Sequence, residues 1–127
     1  MTDRRRAIGK AGEDLALSHY LAMGYELIER NSRSRYGEID LIVLKGSDLV
    51  FAEVRTRLEG QGNPLEAFGP GKARQVRRMA GAWLSARAHQ QAAKSIRVVN
   101  TIRLDAVAVT LKPDLALQSL EVLEAAL

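Results

Sequence analysis

The sequence predicts an α/β fold in which a mixed sheet is flanked by helices, and three observations carry that expectation. A helix-period stripe opens the chain, two apolar strands follow around a Gly-Ser turn, and a second helix-period stripe leads into another strand. The order helix, three strands, helix, strand suits one sheet layer with helices packed on it. At 127 residues the chain has room for a single domain, 1–127, whose core needs no staples.

The first helix is read from Ile8 to Met23, because Ile8, Ala11, Leu15, Ala22 and Met23 fall on one stripe. Gly9 and Gly12 lie inside it, each at about 1 kcal/mol relative to Ala, which suggests close packing. Gly24 should end the helix, and YELIERNSR then reads as a short strand running into a polar, basic bend. Strands of about 38–45 and 48–57 follow around Gly46 and Ser47. Residues 58–71, LEGQGNPLEAFGPG, hold four Gly and two Pro and are expected to be a loop. The second helix is placed at about 72–91, with Ala73, Val76, Ala80, Trp83 and Leu84 inward and Arg74 and Arg78 outward. RLDAVAVTL, 103–111, reads as a strand, while the closing LEVLEAAL has no deciding period.

Composition narrows the chemistry. The absence of cysteine excludes disulfides, thiolate metal sites and a cysteine nucleophile, so a metal must be held by oxygen or histidine ligands. No run of about 18 apolar residues is present, and the Arg-rich start leads into a helix that includes acids. A cytoplasmic protein without membrane contact is the expectation. Residues 1–112 hold all 19 basic residues and 12 of the 15 acids, so the body of the chain carries about +7. Of those cations 14 are Arg, which pairs with phosphate in bidentate fashion, so the charge fits a polyanion as well as an ordinary basic surface.

Residues 36–57, YGEIDLIVLKGSDLVFAEVRTR, set charges inside apolar strands. A two-residue Gly46-Ser47 loop pairs Lys45 with Asp48 and, counting on, sets Asp40 opposite Glu53 and Glu38 opposite Arg55. Side chains alternate, so all four are expected on one face. Two carboxylates at neighbouring cross-strand positions repel, and a divalent cation such as Mg²⁺ gives a fold reason to keep them together. The competing reading is a salt-bridge cluster at a solvated rim, with Arg55 neutralising the acids. Glu13 lies about 140° around the first helix from Ile8, where it reaches a groove edge without being buried.

GED in the first helix, then GEIDLI, then EVR in the following strand resemble the PD-(D/E)XK nuclease superfamily. Archaeal Holliday junction resolvases share that order, and the longer blocks GKAGEDLALSHYLAMGYELIERNSRSRYGEIDLI, LVFAEVRTR and RLDAVAV resemble the bacterial YraN family of small endonucleases inferred from sequence. The resemblance implies a restriction-endonuclease-like αβββαβ core. It also implies that Glu13, Asp40 and Glu53, with the Val54 carbonyl, hold Mg²⁺ or Mn²⁺ for hydrolysis of DNA, branched DNA included. Junction resolvases work as dimers, which makes a homodimer the matching assembly. Arg55 departs from the pattern, since the related families carry Lys there. Arg cannot act as a base but can steady charge on a phosphate. Lys72 is the candidate for a relocated lysine, and a catalytically weakened nucleic-acid-binding module is the alternative. Ser32 stands where the family has Trp, so one stacking surface for a base is missing.

Arg33, Arg35, Arg57, Lys72, Arg74 and Arg78 are the candidate nucleic-acid contacts, each weighed against an ordinary solvated surface. Arg4, Arg5 and Arg6 read as a fraying basic start, His19 and His89 as surface residues, Trp83 as core, and Asp105 as a support behind the site.

Overall fold

The computed structural model describes residues 3–91 and 99–127, the side chains of 88–91 excepted, so the surface reading of His89 lies outside the described residues. Helix α1 spans Asp3–Ala22, followed by β1 Glu26–Ser34, β2 Gly37–Lys45 and β3 Asp48–Leu58. A short 3-10 turn at Pro64–Ala67 precedes helix α2, Pro70–Gln91, and strands β4 Thr101–Leu111 and β5 Leu117–Leu123 close the chain. The five strands lie in sequence order in one sheet. All neighbours are antiparallel except β3 and β4, which run parallel because α2 lies in the crossover between them.

The sheet has one helix on each face, and each helix covers its own core. Ala16 and Tyr20 of α1 pack with Leu41, Val43, Val50, Val54 and Val107, while Val76, Met79 and Ala80 of α2 pack with Ile39, Ile42, Leu44 and Phe51. The buried line of α1 is Gly12, Ala16 and Tyr20, so Ala22 and Met23 of the expected stripe end in solvent. Small residues win the centre because the helix lies close to β3. A Cβ on Gly12 would collide with the Thr56 side chain. Gly9 has nothing within 4 Å of such a Cβ, so close packing explains one of the two glycines only.

The Gly46-Ser47 hairpin has the expected register, with Lys45 opposite Asp48 and Leu41 opposite Ala52. Gly46 has φ +61°, the value a two-residue turn with glycine first requires. The β1 strand continues through the expected basic bend, pairing Ser32 with Ile39 and Arg33 with Glu38, and the chain turns at Arg35 and Tyr36. Trp83 is half-buried against Phe51, with ring centroids 5.5 Å apart, and its indole N–H donates to Glu29 at 3.2 Å. His19 is half-buried beside Tyr20.

The expected fraying start is helix. Arg4 lies in the first turns of α1 and donates to the Pro113 carbonyl at 3.1 Å. Asp105 is wholly buried, but it accepts from Tyr20, from Arg103 and from the Ala125 N–H at 2.7, 2.8 and 3.1 Å. It ties α1 and the C-terminal residues to β4, where the sequence reading made it a support of the acidic site.

Candidate functional site

The backbone pairing of β2 and β3 ends at Leu41 and Ala52, one pair before Asp40 and Glu53 would meet. Beyond that point β2 stays paired to β1 and β3 to β4, so the sheet opens between its second and third strands. Asp40 spans the opening with its side chain, accepting the Val54 N–H at 2.8 Å. Glu53, 1% exposed, lies behind it on the face that α2 covers.

Two cations meet these acids. Lys72, in the first turn of α2, sets Nζ 3.1 Å from Glu53 Oε2. Arg55, two residues along β3 from Glu53, sets Nη1 3.4 Å from Glu53 Oε2 and 3.9 Å from Asp40 Oδ2. Glu53 Oε1 has no hydrogen-bond partner although it is buried. Burial and the neighbouring charge of Glu53 push Asp40 up to about 7, against the Val54 N–H that lowers it. Burial also raises Glu53, with Lys72 and Arg55 pulling the other way. The pair does not sit at a solvated rim, because both acids are buried, but Arg55 does form the salt-bridge cluster with them that the competing reading expected.

Glu38 is not opposite Arg55. It turns to β1, paired with Arg33 at 3.2 Å and bonded by Asn31 at 2.8 Å. The strands have already parted at that position, so the register that holds in the hairpin no longer applies. Asn31 also donates to Glu13 at 3.0 Å, which links α1 to the acidic strand end. Its φ of +50° is the left-handed conformation that Asn adopts more readily than most residues. Arg30 adds contacts to Asp14 at 2.8 Å and to Glu13 at 3.8 Å. The sequence reading set the stretch RNSRSR as a bend suited to phosphate contacts, whereas Arg30 and Asn31 lie in β1 and turn to acids of the chain itself.

Glu13, Asp40, Val54 and Arg55 line one cleft of about 670 Å³, together with Arg4, Arg5, Gly9 and Arg57. The basic residues of the first α1 turns thus face the acids. Their spacing was the available signal, since Arg5, Gly9 and Gly12 fall on one helix face. Among the described residues no three Asp, Glu, His or Cys side chains close into a metal-binding group. The oxygens that do converge are those of Asp40, Glu53 and the Val54 carbonyl, with Glu13 across the cleft. That donor set is hard oxygen, with Glu53 Oε2, Asp40 Oδ2 and the Val54 carbonyl all within 4 Å of one Arg55 nitrogen and Glu53 Oε1 buried without a hydrogen-bond partner, so the residues fit Mg²⁺ or Mn²⁺.

The remaining candidate contacts divide between two places. Arg57 is exposed at the cleft that holds Asp40 and Glu13, while Arg35 and Arg78 line a second hollow of about 690 Å³ with Tyr36 and Ala82. Arg33 and Arg74 are exposed, and Lys72 is turned inward to Glu53.

A family model described as uncharacterised protein family UPF0102 matches residues 12–109. The chain belongs to the UPF0102 family. A UPF0102 protein of Rhodococcus opacus is 44% identical over 104 residues, 81% of either chain. One of Clavibacter michiganensis is 40% identical over 100 residues, 78% of this chain and 85% of that one. The matched span of this UPF0102 chain takes in Glu13, Asp40, Glu53, Arg55 and Lys72, and leaves out Arg4 and Arg5. Among the described residues no helix is long and apolar enough to cross a membrane.

Proposed function

We propose that this chain is a metal-dependent endonuclease of DNA, with Asp40, Glu53, Glu13 and the Val54 carbonyl holding the divalent ion. The observation that carries the reading is the buried Glu53, which keeps one oxygen unpartnered beside a second buried carboxylate at the edge of a basic cleft. A buried carboxylate oxygen without a partner calls for an explanation, and a bound cation is one that suits two neighbouring acids. When bound, the metal supplies Lewis acidity at the phosphodiester and lowers the pKa of water.

The chain's own residues do the rest. Lys72 takes the part of the lysine missing from β3, holding Glu53 in place from the first turn of α2 at 3.1 Å. Arg55 sits against the acids at the wall of the cleft, from which its guanidinium can steady negative charge on a phosphate without giving up its proton. Arg4, Arg5 and Arg57 around the cleft draw in the DNA backbone. Asp40, anchored on the Val54 N–H, keeps its carboxylate fixed across the strand opening.

Branched, flapped and linear DNA incubated with the protein and Mg²⁺ or Mn²⁺ test the reading. Cleavage lost in Asp40→Ala and Glu53→Ala supports it; cleavage that survives both sinks it. A binding module without turnover is the second reading, favoured by the arginine lodged between the acids. Arg55→Lys separates the two, since a large gain in cleavage identifies a wild type crippled at that position.

A further inference from the structure

One nitrogen of Arg55 touches three oxygens. Nη1 lies 3.0 Å from the Val54 carbonyl, 3.4 Å from Glu53 Oε2 and 3.9 Å from Asp40 Oδ2. These are three of the groups assigned above to the metal. Two buried carboxylates held this close repel one another, and a cation placed between them offsets that repulsion. Lys72 meets Glu53, and no contact to Asp40 is among those it makes. Arg55 reaches both carboxylates.

Its side chain has somewhere else to go. Arg55 is 30% exposed in its side chain, lines the open cleft, and rests by its guanidinium 5.9 Å from the Phe68 ring. A guanidinium turned into that cleft meets the path of a phosphate, with which it pairs in bidentate fashion.

We propose that Arg55 is the resident cation of the acidic site, and that a divalent ion loads by displacing its guanidinium into the cleft. The proposal rests on Asp40, Glu53 and Val54 being the metal-holding groups. Apparent metal affinity is then the intrinsic affinity reduced by the small fraction of molecules with Arg55 turned out. A phosphate that captures the guanidinium raises that fraction, so metal and nucleic acid help one another to bind.

Mn²⁺ titrated into the nucleic-acid-free protein, with unbound Mn²⁺ followed by electron paramagnetic resonance, tests this without any turnover. Arg55→Gln should bind Mn²⁺ at least ~10-fold more tightly than wild type, and Mn²⁺ should raise its melting temperature by more. Arg55→Lys, a shorter cation that keeps the fold should the Gln variant lose it, should also bind more tightly than wild type. Equal affinity in wild type and the Arg55 variants, lost in Asp40→Asn, overturns the displacement and leaves the metal site standing. No Mn²⁺ binding in any variant overturns both.

Discussion

Lys72 Nζ stands 3.1 Å from Glu53 Oε2 and joins the start of α2 to the middle of β3. The contact links the two halves of the crossover, because α2 and β3 otherwise meet through apolar side chains such as Val76, Met79 and Phe51. It also places an ammonium where a β3 lysine is lacking. Lys72→Met should therefore act on both stability and chemistry. Removing one partner of a buried pair costs about 3–5 kcal/mol, and loosening a carboxylate that must be positioned lowers the single-turnover rate by on the order of 10²-fold. Urea denaturation and cleavage rates on the same preparation check the two effects. A rate unchanged under folded conditions would remove Lys72 from the chemistry.

Asp40 gives a pH signature. Burial and Glu53 push its carboxyl up to about 7 in the folded chain, whereas an unfolded Asp titrates near 4. The folded state then holds the proton more tightly, so stability falls as pH rises from about 4 to about 7 and levels above that. Asp40→Asn removes this loss, and its amide oxygen can still accept from Val54. Metal-free melts should find Asp40→Asn more stable than wild type at pH 8 by on the order of 1–3 kcal/mol, with the gap closing toward pH 4. The same gap at both pH values would exclude a raised Asp40.

The two glycines of α1 should respond in opposite directions. A Cβ at Gly12 meets Thr56 Cβ and Cγ2 at 2.8 Å, whereas at Gly9 it meets open space over the cleft. Gly12→Ala is expected to lose at least about 2 kcal/mol by overpacking, and Gly9→Ala to gain up to about 1 kcal/mol from helix propensity. Chemical denaturation of both variants decides; a stable Gly12→Ala would mean that α1 does not pack on β3 at this distance.

Tyr20 and Asp105 form a separate support. Burial and the charge of Asp105 raise the tyrosine well above its usual range, so it remains a donor at all ordinary pH values. Tyr20→Phe should cost about 1–2 kcal/mol, since Arg103 and Ala125 still serve Asp105. Cleavage by the folded variant should match wild type. A matching loss of cleavage and stability would return Asp105 to the acidic site.

Much of this arrangement was legible in the sequence. Gly46-Ser47 determined the hairpin register, the two apolar runs gave β2 and β3, and together they brought Asp40 near Glu53. The reading failed where the sheet opens, because a register counted from a turn says nothing about where two strands part, and Glu38 was misassigned for that reason. Strand β5 escaped because it is an edge strand with mostly exposed residues, which leaves little apolar alternation. Arg55 was identified as the anomaly, but its position between the carboxylates depends on a rotamer that no spacing reveals.

The most direct test of the central claim is cleavage of a branched DNA in Mn²⁺ by wild type and by Glu53→Gln, with binding of the same DNA measured alongside. Gln keeps the size of the side chain and removes its charge. The account predicts that wild type cuts, and that Glu53→Gln binds with similar affinity yet does not cut. Wild-type cleavage retained in Glu53→Gln would contradict it.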